Sequence, residues 1–285
     1  MTTATKASND VQRVTGLLII EVINSNPNGD PDRESDPRQR PDWHGEISPV
    51  SFKRKLRDLV EDKDGIVWTQ LAKELKIDAA EFGILESRGR DRKAIEKQIE
   101  DGTFAGAYWD GRVFGNTFLE AGSSGSIRTG VVQVGLGISV APIEISRHTN
   151  TNKSGVQKDK DRGMAPMGYR FVPHGVYCMP FFVNPSMAGK SGCTQRDIEL
   201  LKALIPHAYP HTRSHARPMV EVRHAWVMTH GSQLGSCSDF ALIDALSPKK
   251  KTDPASPSTA WSDYDVPTAL PDKLADKVKL DDLIN

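Results

Sequence analysis

The run from Val14 to Val22 is rich in β-branched residues and leucine, and Asn26-Pro27, Asn28-Gly29 and Asp30-Pro31 follow almost at once. The apolar run has the length and composition of a buried strand. Three turn-forming dipeptides in succession make the chain leave the sheet sharply. Whatever this chain folds into therefore has a rigid strand delivering a polar loop, and loops positioned in this way are where binding groups concentrate. Asn26, Asn28 and Gly29 offer amide and main-chain donors held by turn geometry. An ordinary solvated turn is the plainer alternative for any one Asn-Gly pair.

A helix is predicted from Pro49. Phe52, Leu56, Leu59 and Val60 fall at i, i+4, i+7 and i+8, one face of a helix. At about 100° per residue, Lys53, Arg54 and Arg57 share a neighbouring arc, whereas Lys55 lies across the apolar stripe. Three cations on one arc repel each other. An anionic partner would account for them; a solvated charged face is the alternative.

Further along, helical spacing covers 66–77 and a charged helix is expected over 91–100. A strand is predicted over 127–140, where Val132, Val134, Leu136 and Ile138 alternate with smaller residues. The segment 147–168 has no hydrophobic period and reads as a polar insertion. Residues 171–183 read as a strand, with His174-Gly175 as a candidate bulge. Thr194 is the expected cap of a helix over 195–205, and 220–227 is the last strand. With the insertions removed, the order is β-α-β-β-α-β, a ferredoxin-like α+β arrangement. Pro248, Pro254, Pro257, Pro267 and Pro271 mark 247–285 as a surface wrap or a mobile tail.

With 285 residues and 38% hydrophobic content, the chain has enough material for one core carrying long polar excursions. Neither a signal-peptide core in Met1–Asp10 nor an apolar run of the ~20 residues needed to span a bilayer is found. A cytoplasmic protein without membrane association is expected. Cys178, Cys193 and Cys237 are odd in number and widely spaced, which fits reduced thiols and neither a disulfide framework nor a zinc site.

The sum of Lys and Arg, 37, equals that of Asp and Glu, whereas nucleic-acid binders are commonly basic overall. The charges are segregated, however. Arg147, Lys153, Lys158, Lys160, Arg162 and Arg170 stand against Asp159 and Asp161, while 30–46 holds six acids and three arginines. Segregation of this kind can build a basic groove on a neutral molecule, and suits contacts between copies.

Strand, Asn-Pro-Asn-Gly-Asp loop and Lys-Arg-Lys helix, in this order, resemble the repeating backbone subunit of type I CRISPR interference complexes (Cascade), nearest to the type I-C and I-B versions. Arg112-Val113-Phe114-Gly115 resembles the Arg-x-Phe-Gly element of that family. Ser126 to Gln133 resembles its Gly-Pro-Val-Gln strand start, with Val131 where proline is usual. Ile145-Ser146-Arg147, Val172 to Tyr177 and Thr212 to Arg217 extend the likeness, which runs from about Gly16 to about Ala245.

The resemblance implies a single domain over 1–285. Its RNA-recognition-type palm would comprise about 14–62, 126–146 and 169–246, with a helical fingers insertion at 63–125 and a thumb hairpin at 147–168. It implies a non-catalytic subunit without cofactors that polymerises along a CRISPR guide RNA and presents the spacer to a target DNA strand. Its partners would be further copies of itself, the large, small and guide-end-binding Cascade subunits, and a recruited helicase-nuclease. Lys53, Arg54 and Arg57 would neutralise phosphates, with Lys55 on its own arc. Asn26, Asn28 and Gly29 would contact phosphate or ribose, Arg128 and Arg147 would flank the groove, and Met164 would wedge between bases. Arg112 and Phe114 would either touch RNA or support the palm.

Two other function classes stay open. Asp30, Asp32, Asp36 and Glu46 could gather Mg²⁺ for RNA cleavage, as in related type III subunits, although an acidic turn is the simpler reading. A protein-only assembly subunit is the other. His207, His211 and His215 sit four apart, but Pro206 and Pro210 interrupt the helix that would align them, which disfavours a metal site.

Overall fold

The first strand, β1 (Val14–Ser25), is covered on both faces, which is why its apolar run does not alternate. The computed structural model describes residues 10–87, 91–116, 128–152 and 165–284. Besides β1, the main sheet contains β2 (His44–Ile47), β3 (Val132–Val134), β4 (Gly137–Pro142), β5 (Ser146–Asn152), β6 (Ala165–Val183), β7 (Val220–His230) and β8 (Val278–Asp282). Its order is β8-β7-β1-β6-β4-β2, with β3 and β5 also paired to β6. Every pairing is antiparallel. The longer helices are α1 (Pro49–Glu61), α2 (Ile66–Leu75), α3 (Arg92–Glu100), α4 (Trp109–Phe114), α5 (Gln195–Leu204) and α6 (Asp239–Leu246), so the fold is α+β.

Alternate residues of β1 feed two cores. Val14, Leu18, Ile20 and Val22 meet Phe52, Leu56 and Val60 of α1 and Ile198, Leu201 and Leu204 of α5. Leu17 and Ile19 meet Trp226, Met228, Leu242 and Leu246, with Tyr264, Leu270, Leu274 and Val278 completing that side. The proline-rich segment thus closes the second core and ends as β8 on the edge of β7. Its core residues are widely spaced and interleaved with prolines and charges, so no period announces them.

Local chemistry sets the helix starts. Ser48 Oγ accepts the Ser51 N–H at 3.2 Å and Pro49 occupies the first turn, which fixes the start of α1. Thr194 and Asp197 form a reciprocal capping box at α5. Other boundaries differ from expectation. The loop over 24–48 contains β2, and the strand expected over 127–140 is split by Gly135, whose N–H donates to Pro180 O at 2.8 Å. Lys76 turns left-handed (φ 52°) and ends α2 at Leu75. The register of β1 on β6 runs unbroken through His174-Gly175. The irregularity lies on β7 instead, where His224 faces Ile19 and Val222 faces Ile20, leaving Arg223 as the extra residue. The insertion at 147–168 contains an antiparallel arm from β5 and the start of β6, paired outward to Asn152 and Ala165.

At the end of β7, His230 is enclosed. The Ser236 N–H donates to its Nδ1 at 2.9 Å, so in the neutral ring the proton sits on Nε2, facing Thr15 Oγ1 at 3.0 Å and Asp239 Oδ1 at 3.3 Å. Burial, aided by Arg13 and opposed by Asp239, holds the His230 pKa below its ordinary 6.5. A lowered folded pKa means stability that is complete above the unfolded value and lost as pH falls through the folded one. The thermal midpoint should therefore drop as pH falls from about 7 to about 5, and His230→Asn should flatten that drop. An unchanged pH slope in the variant would assign the effect elsewhere, His207 being the other histidine with a lowered pKa.

Candidate nucleic-acid interface

The polar loop after β1 is a clasp whose donors mostly point back into the chain. The Asn26 N–H donates to Ala216 O at 2.7 Å and its Nδ2 to Ser35 O at 2.8 Å, while its buried Oδ1 has no partner among the described residues. Asn28 Oδ1 accepts the Ser48 N–H at 2.8 Å, tying the loop to the cap of α1, and its Nδ2 donates to Gly29 O at 3.0 Å. Gly29 bridges to Pro37. Glu34 and Ser35 both adopt left-handed backbone (φ 51° and 65°), a conformation non-glycine residues reach only when their surroundings enforce it.

The cations of α1 divide into two groups. Arg57 is buried against Asp110, with Nε to Oδ2 at 2.9 Å, and reaches Glu86 at 2.8 Å. Arg54 pairs with Asp58 at 2.6 Å and Glu61 at 2.5 Å. The repulsion expected on this arc is thus relieved inside the fold for two of its three members. Lys53 and Lys55 form no ion pair among the described residues. Lys53 Nζ lies 5.0 Å over the Phe114 ring, which also carries Arg57 at 5.2 Å. Lys55 Nζ donates to Thr212 Oγ1 at 3.1 Å and lies 5.0 Å over Tyr209. Burial, then Arg57, lowers the Lys53 pKa; burial, then the positive charge of Arg217, pushes Lys55 down to about 8.

Arg112 is held inside the fold. It is buried, its Nη2 is 2.7 Å from Asp197 Oδ1, and its remaining donors go to the carbonyls of Glu81, Ala105 and Gly106. Phe114 packs edge-on against Trp109, centroids 5.6 Å apart. Gly115 pairs with Thr129, and a Cβ on Gly130 would sit 2.2 Å from Gly115 N, so only glycine lets these two backbones meet. Arg128 pairs with Asn116 in the same short ribbon. Met164 lies outside the described residues. Arg147 and Arg170 both reach Asp36, at 2.5 and 3.5 Å, and Arg170 also binds Glu34 at 2.5 Å.

The structure therefore brings Asn26, Asn28, Lys55 and the 211–217 loop together at the end of β1 and the start of α1, with Arg217 Nε donating to Asn26 O at 3.0 Å. Arg147 stands at the loop's other side through Asp36, and Arg112 is remote from both in role. Reasoning from the sequence singled out neither Arg217 as partner of the loop nor Asp36 and Arg170 as its clamp. The Thr194-x-x-Asp197 capping pattern was a readable hint to the carboxylate that holds Arg112. The acids of the loop do not converge: Asp30 caps its own turn, Asp36 binds two arginines and Glu46 lies 3.5 Å from Arg38. Among the described residues no group of three or more His, Cys, Asp or Glu is placed to hold a metal ion. Nor is any described helix long and apolar enough to cross a membrane.

A family model described as CRISPR-associated protein Cas7 matches residues 12–269. No curated protein matches the chain. Among solved structures, a chain of a "CRISPR RNA-guided surveillance complex, pre-nicking" is similar, with a TM-score of 0.50 at 15% identity over 76% of this chain and 78% of that one. A second surveillance-complex chain has a TM-score of 0.41 at 14% identity, over 81% and 75% of the two chains. A chain of a type III-B Cmr-beta complex bound to cognate target RNA has a TM-score of 0.42 at 11% identity, over 78% and 62%. At these identities the likeness speaks to fold, and only the first reaches a score that bears weight.

Proposed function

The chain belongs to the CRISPR-associated protein Cas7 family, and on that footing we propose that it is a CRISPR RNA-binding backbone subunit, several copies of which line a guide RNA in a type I interference complex. The observation that carries this reading is the pair of basic side chains, Lys55 and Arg217, that form no ion pair among the described residues where the Asn26 loop meets α1. Phosphates would complete it. The order β7-β1-β6-β4, with α1 following β1 and α5 linking β6 to β7, supports a ferredoxin-like palm. In this reading 63–125 are its fingers and 147–168 its thumb. The guide would be held by backbone and shape while base pairing reads a target DNA strand. Other Cascade subunits and a helicase-nuclease are the partners this role requires, and its setting is the cytoplasm.

The subunit is proposed to be non-catalytic, because the loop acids are held apart by a turn and by arginines rather than aimed at one point. Protein co-expressed with its guide should purify with nucleic acid, visible as a raised ultraviolet absorbance ratio. Incubation of that complex with Mg²⁺ and complementary RNA should leave both strands intact. Periodic cutting of the target that Asp30→Ala abolishes would establish the endonuclease reading instead. Self-association without nucleic acid would leave a protein-only assembly subunit.

A further inference from the structure

We propose that one face of the hairpin arm is a stacking platform for an unpaired nucleobase of the bound RNA, with Tyr169 as its central ring; this rests on the RNA-binding reading above. In the β5–β6 register, Arg147 faces Arg170, His148 faces Tyr169 and Ser146 faces Phe171. Side chains alternate across a strand, so the two arginines lie on one face of the arm and His148, Tyr169 and Phe171 on the other. The arginine face is occupied by Asp36 and Glu34 of the clasp.

The opposite face holds a continuous series of rings. His148 meets Phe171 edge-on at 5.0 Å, Tyr169 lies 5.0 Å from Phe171, and His215 lies 5.5 Å from Tyr169. Phe171 is buried and anchors the series, whereas His148 and His215 are exposed and Tyr169 is half-buried. The Tyr169 hydroxyl donates to Asn24 O at 2.7 Å, which fixes the ring at the mouth of the Asn26 loop. Arg213 and Arg217 stand in the same loop as His215. Exposed rings beside cations are what a sequence-tolerant single-strand site uses: the cations hold backbone and the rings hold base faces.

The test uses full-length protein and a short single-stranded RNA of mixed sequence carrying one 2-aminopurine. Tyr169→Ala should weaken binding roughly 5- to 100-fold and abolish the fluorescence change of the probe, with the salt dependence unaltered because no phosphate contact is removed. Tyr169→Phe, which keeps the ring and loses the hydroxyl, should bind within about twofold of wild type. An abasic RNA should not distinguish wild type from Tyr169→Ala. Equal affinity of wild type and Tyr169→Ala for the mixed-sequence RNA would overturn the platform while leaving RNA binding standing. So would a Tyr169→Phe variant as weak as Tyr169→Ala, because the hydroxyl bond to Asn24 would then be the relevant contact. Failure of the wild type to bind any RNA would overturn the RNA reading, and the platform with it.

Discussion

Arg112→Ala should destabilise the fold by about 3–5 kcal/mol, a large part of the roughly 5–15 kcal/mol that holds a typical domain together. The guanidinium meets Asp197 through Nη2 at 2.7 Å and through Nε at 3.2 Å, and closes off three main-chain carbonyls. Removing it strands a carboxylate whose side chain is 1% exposed, relieved only by the Thr194 N–H and hydroxyl at 2.8 and 3.0 Å. Urea titration followed by circular dichroism measures the loss. Arg112→Met combined with Asp197→Leu should recover part of it, because the pair is then replaced by apolar volume instead of being broken. If Arg112→Ala unfolds at the wild-type urea concentration, the side chain is not a support. The RNA contact weighed for it from the sequence would then return.

The largest functional effect should come from Lys55→Ala with Arg217→Ala. The two cations sit where the Asn26 loop meets the first half of α1 and form no ion pair among the described residues. Their loss should weaken RNA binding about 10- to 100-fold, equally for unrelated guides. The salt slope should flatten by about 0.7 for each phosphate contact removed. There is also a pH signature. Burial and Arg217 leave Lys55 with a pKa of about 8 in the free protein. A phosphate would raise that value, so binding takes up a proton once the free lysine has begun to lose its own. Affinity should be steady below about pH 8 and fall above it, and Lys55→Arg should remove the fall while keeping the binding. Loss confined to one guide sequence, or a flat wild-type profile across that range, would count against this placement. Arg57→Ala, by contrast, should act on stability, since its partner Asp110 is buried with it.

The elements with strong local signals were readable in advance. The periodicity of α1, the Thr194 cap of α5 and the apolar β1 run each depend on neighbours close in sequence. Features settled by distant contacts were not. Nothing near Arg57 or Arg54 in sequence says that one will be buried on Asp110 and the other spent on Asp58 and Glu61, so an arc of three cations looked like a free basic face. Among the described residues Lys53 keeps no carboxylate, and neither does Lys55, which looked secondary because it sat across the apolar stripe. The strand β8 escaped notice because its residues alternate with charges and follow a proline-rich stretch. Two faces of one hairpin, rings on one side and arginines on the other, become visible only once Arg147 and Arg170 are known to be register partners.

The double-sided burial of β1 has a consequence for how the protein is made. One of its faces is covered by α1, the next long helix in the chain, and later by α5, but the other waits for α6, the proline-rich wrap and Val278. At ribosomal speeds of ~5–20 residues per second, the interval between the synthesis of Val22 and that of Val278 is roughly 13–50 s. Throughout it Leu17 and Ile19 have no final cover. For most of synthesis β1 therefore lacks its flanking strands β6 and β7 as well as the cover of its second face, a state that invites chaperones and premature association with other nascent copies.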